Sequence, residues 1–464
     1  MLQYAAFRCV AITAFAAFVT DARPQEDEGQ LKWTFRPSST LPCESSAAVG
    51  HNGRDIFVAD AAELHKLDGR TGKPIWSRPA ENDGGGSFSP SLTLRADTNQ
   101  TVVVVPTTTA LTAFDASTGA LLWTAAAEDD RPFDGAASFS ADGAVVFATG
   151  SWGGSAKGSI AAISTETGNV LWTFHVPPAD PTQTGHTVWA KPLVWNDTAV
   201  IAGDFGGRLW ALSTRTGRPL WHFQESQDPS GAYGNEIWAQ VAVTPDNELI
   251  FASNLGWIRK FDPVTGVELT DGHWPIEPAR RTNASAAAAS PLRSDPIVFS
   301  APLVDADGTV YISSENWCVY AFRRDGTRKW ANCDFCSWGT AGMVLRDDGT
   351  ILFAADLPSP GHVSCPAWVA GCQPTGGLAG KEGHVISLNK STGERLWAAD
   401  IPGMNTFVCD EQMLNVLGDG TIVITGGTHG GGVFAFTGGS ALDVSAPTPK
   451  YGFDPMLTGV RRWR

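Results

Sequence analysis

Short apolar runs alternate with tight polar turns along this chain, and the alternation repeats. "AFDASTGALLWTA" from Ala113, "AISTETGNVLWTF" from Ala162, "ALSTRTGRPLWHF" from Ala211 and "SLNKSTGERLWAA" from Ser387 share one order. A small residue and an apolar one precede a polar turn closing on Thr-Gly, and a Trp follows four residues after the Gly. A looser copy, "KLDGRTGKPIWSR", starts at Lys66. Apolar alternation on both sides of a Gly-containing turn predicts a β-hairpin. In that hairpin the Gly turns the chain at positive φ and the Trp packs between neighbouring units.

Trp76, Trp123, Trp172 and Trp221 stand 47, 49 and 49 residues apart. Another step of 49 lands on Thr270 in "KFDPVTGVELT", a unit without its Trp, and the later units ending at Trp330 and Trp397 are longer. A period in the forties with strand-like content predicts a β-propeller whose repeats are four-stranded blades. In the sixth unit the strands read "FSAPLVD", "TVYISS", "CVYAFR" and "RKWANC", with turns at Asp307-Gly308 and Asp325-Gly326. First strands recur at Ser45, Ser87, Ala137, Trp189, Trp238, Phe299, Gly339 and Gln412, which makes eight units.

The last unit, "VFAFTGGSALDVSAP", lacks its Leu-Trp strand, whereas "LKWTF" at Leu31 to Phe35 matches "VLWTF" at Val170 to Phe174. The N-terminal strand is therefore expected to complete the eighth blade and close the ring, which removes exposed sheet edges. The predicted fold class is all-β: an eight-bladed propeller over residues 23–450, after a segment 1–22 and before a tail 451–464.

Composition agrees with this reading. Fifty Gly and 18 Trp with only 17% charged residues suit many short strands joined by tight turns. Residues 1–22 carry one positive charge, a short apolar core "CVAITAFAAFV" and small residues near Ala22, the pattern of a secretory signal; the run is too short to span a bilayer. Export is consistent with sequons at Asn99, Asn196, Asn283 and Asn389. A net charge of -15, with no basic cluster beyond the terminal "RRWR", argues against a nucleic-acid partner.

Seven cysteines follow the signal, and in an exported chain disulfides are the default. Cys365 and Cys372 bracket a short loop and make a local pair. Cys318 falls opposite Cys333 across the Asp325-Gly326 hairpin. Ring closure brings Cys43 and Cys409 to equivalent places before the first strands of units one and eight, with a bond from Cys409 to Cys336 as the alternative. The sequence holds no His-Glu-x-x-His helix, Gly-x-Ser-x-Gly elbow or Walker loop.

The repeat unit resembles that of the pyrroloquinoline quinone (PQQ) repeat family, whose signature is Ala-x-Asp-x-x-Thr-Gly-x-x-x-Trp. "AFDASTGALLW" meets every fixed position, and the resemblance covers nearly the whole chain after residue 22. That family includes quinone-dependent alcohol dehydrogenases and cofactor-free scaffolds such as the bacterial outer-membrane assembly lipoprotein. Residues 146 to 221 look like the cofactor-holding part of the dehydrogenases. The resemblance places an indole under the quinone at Trp189 and a calcium ligand at Gly203-Asp204. It also places Gly153 where the family has a calcium-binding glutamate, and this chain lacks the family's adjacent Cys-Cys pair. Trp238 in "EIWAQV" parallels Trp189, so Trp189 also reads as inter-blade packing. The expected protein is an exported, glycosylated, monomeric binding or scaffold propeller that takes a protein or small-molecule ligand at one face, without a cofactor. The alternative is a PQQ- and calcium-dependent oxidoreductase acting on an alcohol or sugar.

Overall fold

The computed structural model describes residues 28–39, 41, 46–80, 89–107, 109–127, 133, 137–150, 158–178, 188, 191–226, 235–237, 239–276, 300–314, 318–333, 335, 342–357, 382–405, 414–426, 431–450 and 453–454. These residues form strands and turns and contain no helix. The strands make eight antiparallel sheets in chain order. The first blade runs Ala48–Val49, Asp55–Ala59, Glu63–Asp68 and Pro74–Pro79, and the other four-stranded blades follow the same pattern. All eight predicted first strands fall on or directly beside an observed one.

Within each four-stranded blade the first strand is short and buried, and the last is more exposed. Ala48–Val49 and Leu193–Val194 are sealed, whereas Leu121–Ala126 alternates exposed and buried positions. First strands of adjacent blades approach one another, so they line the ring's axis. The core fills the gaps between blades: Phe147, Ile160 and Ala162 of the third blade pack with Val200, Ala202 and Leu212 of the fourth.

The repeated Trp joins each blade to the next. Its indole N–H donates to a turn carbonyl of the following blade: Trp33 to Gly69 (2.9 Å), Trp123 to Thr165 (2.7 Å), Trp172 to Thr214 (2.8 Å), Trp221 to Pro263 (2.9 Å) and Trp330 to Lys390 (3.0 Å). The turn Gly lies flat against that ring. Gly217 has φ +67°, and a Cβ there would come within 2.5 Å of Trp172. Both the dihedral and the contact therefore select glycine.

Among the described residues the fifth blade departs from the pattern with three strands, Ala242–Val243, Leu249–Ala252 and Ile258–Phe261. Beyond the third strand the described chain makes single bridges, Glu268 to Phe261 and Ile276 to Ile258. The missing Trp is supplied four residues late: Trp274 Nε1 donates to Arg324 O at 2.9 Å, across to the sixth blade. The first blade differs in another way. Lys66 Nζ, paired with Asp55 at 2.8 Å, also donates to Ala116 O at 3.1 Å. That carbonyl stands where the second blade's Trp acceptor is expected, and Trp76 Nε1 has no hydrogen-bond partner.

The ring closes as predicted. Leu31–Phe35 pairs antiparallel with Gly432–Phe436, so the first strand in sequence is the outer strand of the last blade. The turn that elsewhere joins third and fourth strands is here assembled from two distant pieces. Gly29 N donates to Thr437 O and Thr437 N to Gln30 O, both at 2.8 Å, as Gly72 N and Asp68 N do within the first blade. Glu28 locks this split turn: its carboxylate accepts from Gly439 N (2.7 Å), Trp397 Nε1 (3.0 Å) and the Arg346 guanidinium (3.1 and 3.3 Å).

Candidate functional site

The two ends of the ring are built differently. First-to-second and third-to-fourth connections are brief turns such as 50–54, 69–73 and 305–309. Second-to-third and fourth-to-first connections leave from the other face, and long ones, 176–192, 225–241 and 357–381, are among them. Asp204 follows the second strand of the fourth blade, Ala199–Gly203, and so stands on this loop face.

Its side chain is fully buried and fully engaged. Oδ1 accepts from Gly206 N (2.8 Å) and Arg208 N (2.9 Å); Oδ2 accepts from Arg208 Nε and Trp210 Nε1, both at 2.8 Å. A carboxylate that caps its own loop, pairs with a guanidinium and receives an indole N–H has its acceptor sites taken up by protein donors. Trp210 is held in turn by stacking on His222, with centroids 4.9 Å apart, and by Phe174 at 5.2 Å.

Asp60 fills the same place in the first blade. Its Oδ1 accepts from Ala62 N (2.8 Å) and Glu63 N (2.6 Å), and Oδ2 meets His65 Nε2 at 3.0 Å. His65 takes the position of Trp210, and its Nδ1 lies 2.7 Å from Ser77 Oγ. Burial acts to raise the Asp60 pKa, but the His65 hydrogen bond and the two amides outweigh it and hold the carboxyl below its usual range. Both aspartates are thus loop caps of one repeated kind. The match of "FVAD" with "IAGD" at the ends of equivalent strands is the sequence signal of this shared capping role.

A second buried polar knot links the fourth and fifth blades. The Glu225 carboxylate is bound by Arg259 through two hydrogen bonds of 2.8 and 2.7 Å, and Arg259 also reaches Glu268 at 2.6 Å. Its guanidinium lies 4.5 Å from the Trp257 ring centroid. These groups also satisfy one another and stiffen the base of the loop face. Among the described residues no group of three or more His, Cys, Asp and Glu side chains is arranged to hold a metal.

Other sequence candidates can be placed. Cys318 and Cys333 are disulfide-bonded, with Cα atoms 4.1 Å apart, across the hairpin that predicted them. Asn99 and Asn196 are exposed in turns, with φ of 56° and 48°. Asn389 is half buried, and its Oδ1 accepts from Ser391 N and Thr392 N. The segment 1–22, Cys43, Gly153, Trp189, Trp238, Asn283, Cys336, Cys365, Cys372 and Cys409 lie outside the described residues.

Of the positions where the resemblance implies calcium and quinone contacts, Gly203-Asp204 is described. Asp204 faces its own loop donors, and Gly153 brings no side-chain oxygen.

Three comparisons bear on the chain. The model of the family described as outer membrane protein assembly factor BamB matches residues 22–203 and 108–365. No curated protein matches in sequence. Among solved structures, BamB from Moraxella catarrhalis is similar over 87% of this chain and 99% of its own, with 19% identity and a TM-score of 0.55. The quinohemoprotein alcohol dehydrogenase ADHIIG from Pseudomonas putida HK5 is similar over 89% of this chain and 76% of its own, with 15% identity and a TM-score of 0.61. A europium-containing methanol dehydrogenase is similar over 88% and 93%, with 13% identity and a TM-score of 0.58. At such identities the likenesses speak for the propeller and leave the chemistry open. The chain belongs to the family of PQQ-repeat propellers described as outer membrane protein assembly factor BamB.

Proposed function

We propose that this protein is an exported binding or scaffold propeller that engages a protein or small-molecule ligand on its loop face. The observation that carries this reading is the engagement of Asp204. The carboxylate at the family's calcium position already accepts four protein hydrogen bonds, so ligating calcium would take the acceptor away from the Arg208 and Trp210 donors inside a sealed site. Leaving buried donors unpaired costs roughly 1 to 3 kcal/mol each. The choice of face is supported by the long connections there, since variable loops on a rigid frame are where recognition is usually built. Asn99 and Asn196 lie in turns of the opposite face, where glycans would leave the loop face clear.

The direct test is calorimetric and absorbance titration of the purified protein with quinone and calcium. No saturable binding is expected. Submicromolar binding abolished by Trp189→Ala would replace this reading with that of a quinone-dependent oxidoreductase. Mass analysis of the exported protein before and after N-glycosidase checks the glycans, which are expected at Asn99 and Asn196.

A further inference from the structure

The chain does not end its ordered course with the eighth blade. Past Ser440 it turns inward and pairs with the inner edges of first strands. Asp443 N donates to Leu345 O (2.9 Å) and Leu345 N to Pro449 O (2.8 Å) in the seventh blade. In the sixth, Val304 N donates to Thr448 O (2.9 Å) and Thr448 N to Val304 O (3.2 Å). The Thr448 hydroxyl then bridges to the fifth blade, accepting from Val243 N and donating to Val243 O, both at 2.9 Å. Leu442 and Ala446 pack with Leu414, Val416 and Phe434 of the eighth blade, while Phe453 packs with Leu193 and Val243 of the fourth and fifth. The segment thus passes from the eighth blade to the fourth, its opposite in an eight-fold ring.

The inner edge of a first strand faces the axis, so this path lies in the lumen. Lys191, ahead of the fourth blade's first strand and fully buried, continues the crossing. Its Nζ donates to Ser91 Oγ of the second blade (3.0 Å) and to Ala137 O of the third. Lys450 is buried beside it, and Asp454 lies near enough to both ammonium groups to offset part of their burial. Lys390 fixes the outer end of the segment, reaching Asp443 at 2.9 Å and Asp305 at 3.0 Å. The paired residues adjoin the 305–309 and 346–349 turns, which places the crossing at the turn face.

We propose that residues 441–450, with 453–454, are a plug held in cis, which closes the lumen at the turn face and makes it a blind pocket open only toward the loop face. A ligand or partner peptide that uses the lumen must then enter on the loop side and stops at the plug, behind which Lys191 and Lys450 are buried. The inference concerns access alone and does not depend on whether the occupant is a scaffold partner or a cofactor.

Two measurements on the intact chain and two variants test it. Leu345 and Val304 donate their amides to the plug alone, so both are expected to exchange hydrogen as slowly as blade-interior amides; exchange within seconds would overturn the proposal. A small amine-acylating reagent applied to the native protein is expected to spare Lys191 while modifying exposed Lys73, as read by mass spectrometry. Equal modification of the two lysines would also overturn it. Truncation after Ser440, and Thr448→Pro as a milder change, should each raise Lys191 modification about tenfold or more in protein that retains its far-ultraviolet spectrum. Continued protection of Lys191 in either folded variant would refute the plug. If neither variant folds, the exchange rates of the intact chain decide.

Discussion

Glu28 stands three residues before the closing strand Leu31–Phe35, and the structure makes it a fastener of the ring. Replacing it with alanine removes four hydrogen bonds at once: from Gly439 N, from Trp397 Nε1 and two from Arg346. Arg346 is completely buried. Depriving a buried charge of its partner costs on the order of 3 to 5 kcal/mol. Here the loss is smaller, because Arg346 keeps Asp348 at 3.0 Å and Thr350 Oγ1 at 2.8 Å. The expected destabilisation is therefore about 2 to 4 kcal/mol. Urea unfolding followed by tryptophan fluorescence measures it directly. Glu28→Gln, which retains an acceptor for Trp397 and Gly439, should lose about half as much. In an Arg346→Met background the further loss from Glu28→Ala should fall to about 1 kcal/mol, because the coupled partner is gone. A Glu28→Ala protein within about 0.5 kcal/mol of the parent would show that the closing turn stands without its carboxylate, and the account given of it would be wrong.

Deleting residues 23–36 removes the closing strand together with Trp33, and thermal unfolding should show a sharply lower melting temperature; an unchanged value would refute the role given to that strand. Gly217→Ala combines left-handed strain with overlap on Trp172 and should cost roughly 3 kcal/mol, whereas Gly349→Ala, at φ +84° with nothing within 4 Å, should cost only about 1 to 2 kcal/mol; equal losses by chemical denaturation would contradict the packing argument. Burial lowers the Lys450 pKa to about 7, with Asp454 opposing part of the shift, so between that value and 10.5 the unfolded chain holds a proton that the folded one lacks. Stability from this group therefore rises with pH across that window. Relative to Lys450→Met, the parent should gain roughly 1 to 2 kcal/mol between pH 7.5 and 9, and a difference independent of pH would be the contrary result.

The architecture was legible because each blade repeats its local chemistry. A Thr-Gly turn followed by a Trp announces the outer hairpin wherever it occurs, and "LKWTF" betrays the displaced closing strand by matching its relatives. Cys318 and Cys333 were equally readable, since a short hairpin fixes their register. The exceptions escaped because their determinants are not periodic. Trp274 serves as the fifth blade's joint, yet it lies beyond an extra turn at Asp271–His273 and out of step with the repeat. Lys66 holds the Ala116 carbonyl near Trp76 through a side chain that no spacing rule marks. Segment 441–450 shows no strand alternation because it borrows its pairing from strands about 100 to 200 residues away, as in the bond between Thr448 and Val243 with a separation of 205. Asp204 was singled out by resemblance to a ligand position, whereas its role is set by donors two to six residues downstream.

The split turn of the eighth blade also sets a clock. Gln30 and Thr437, which meet in it, are 407 residues apart. At a synthesis rate of about 5 to 20 residues per second, the strand made first waits roughly 20 to 80 seconds for its partner. Until then Leu31–Phe35 is an unpaired strand with an exposed indole, and the growing array presents an uncovered face at its leading blade. The nascent molecule therefore passes through a long period in which its two most adhesive surfaces are both free. A holding factor that shields the first strand until residue 437 has emerged would raise the yield of closed rings without altering the stability of the finished one.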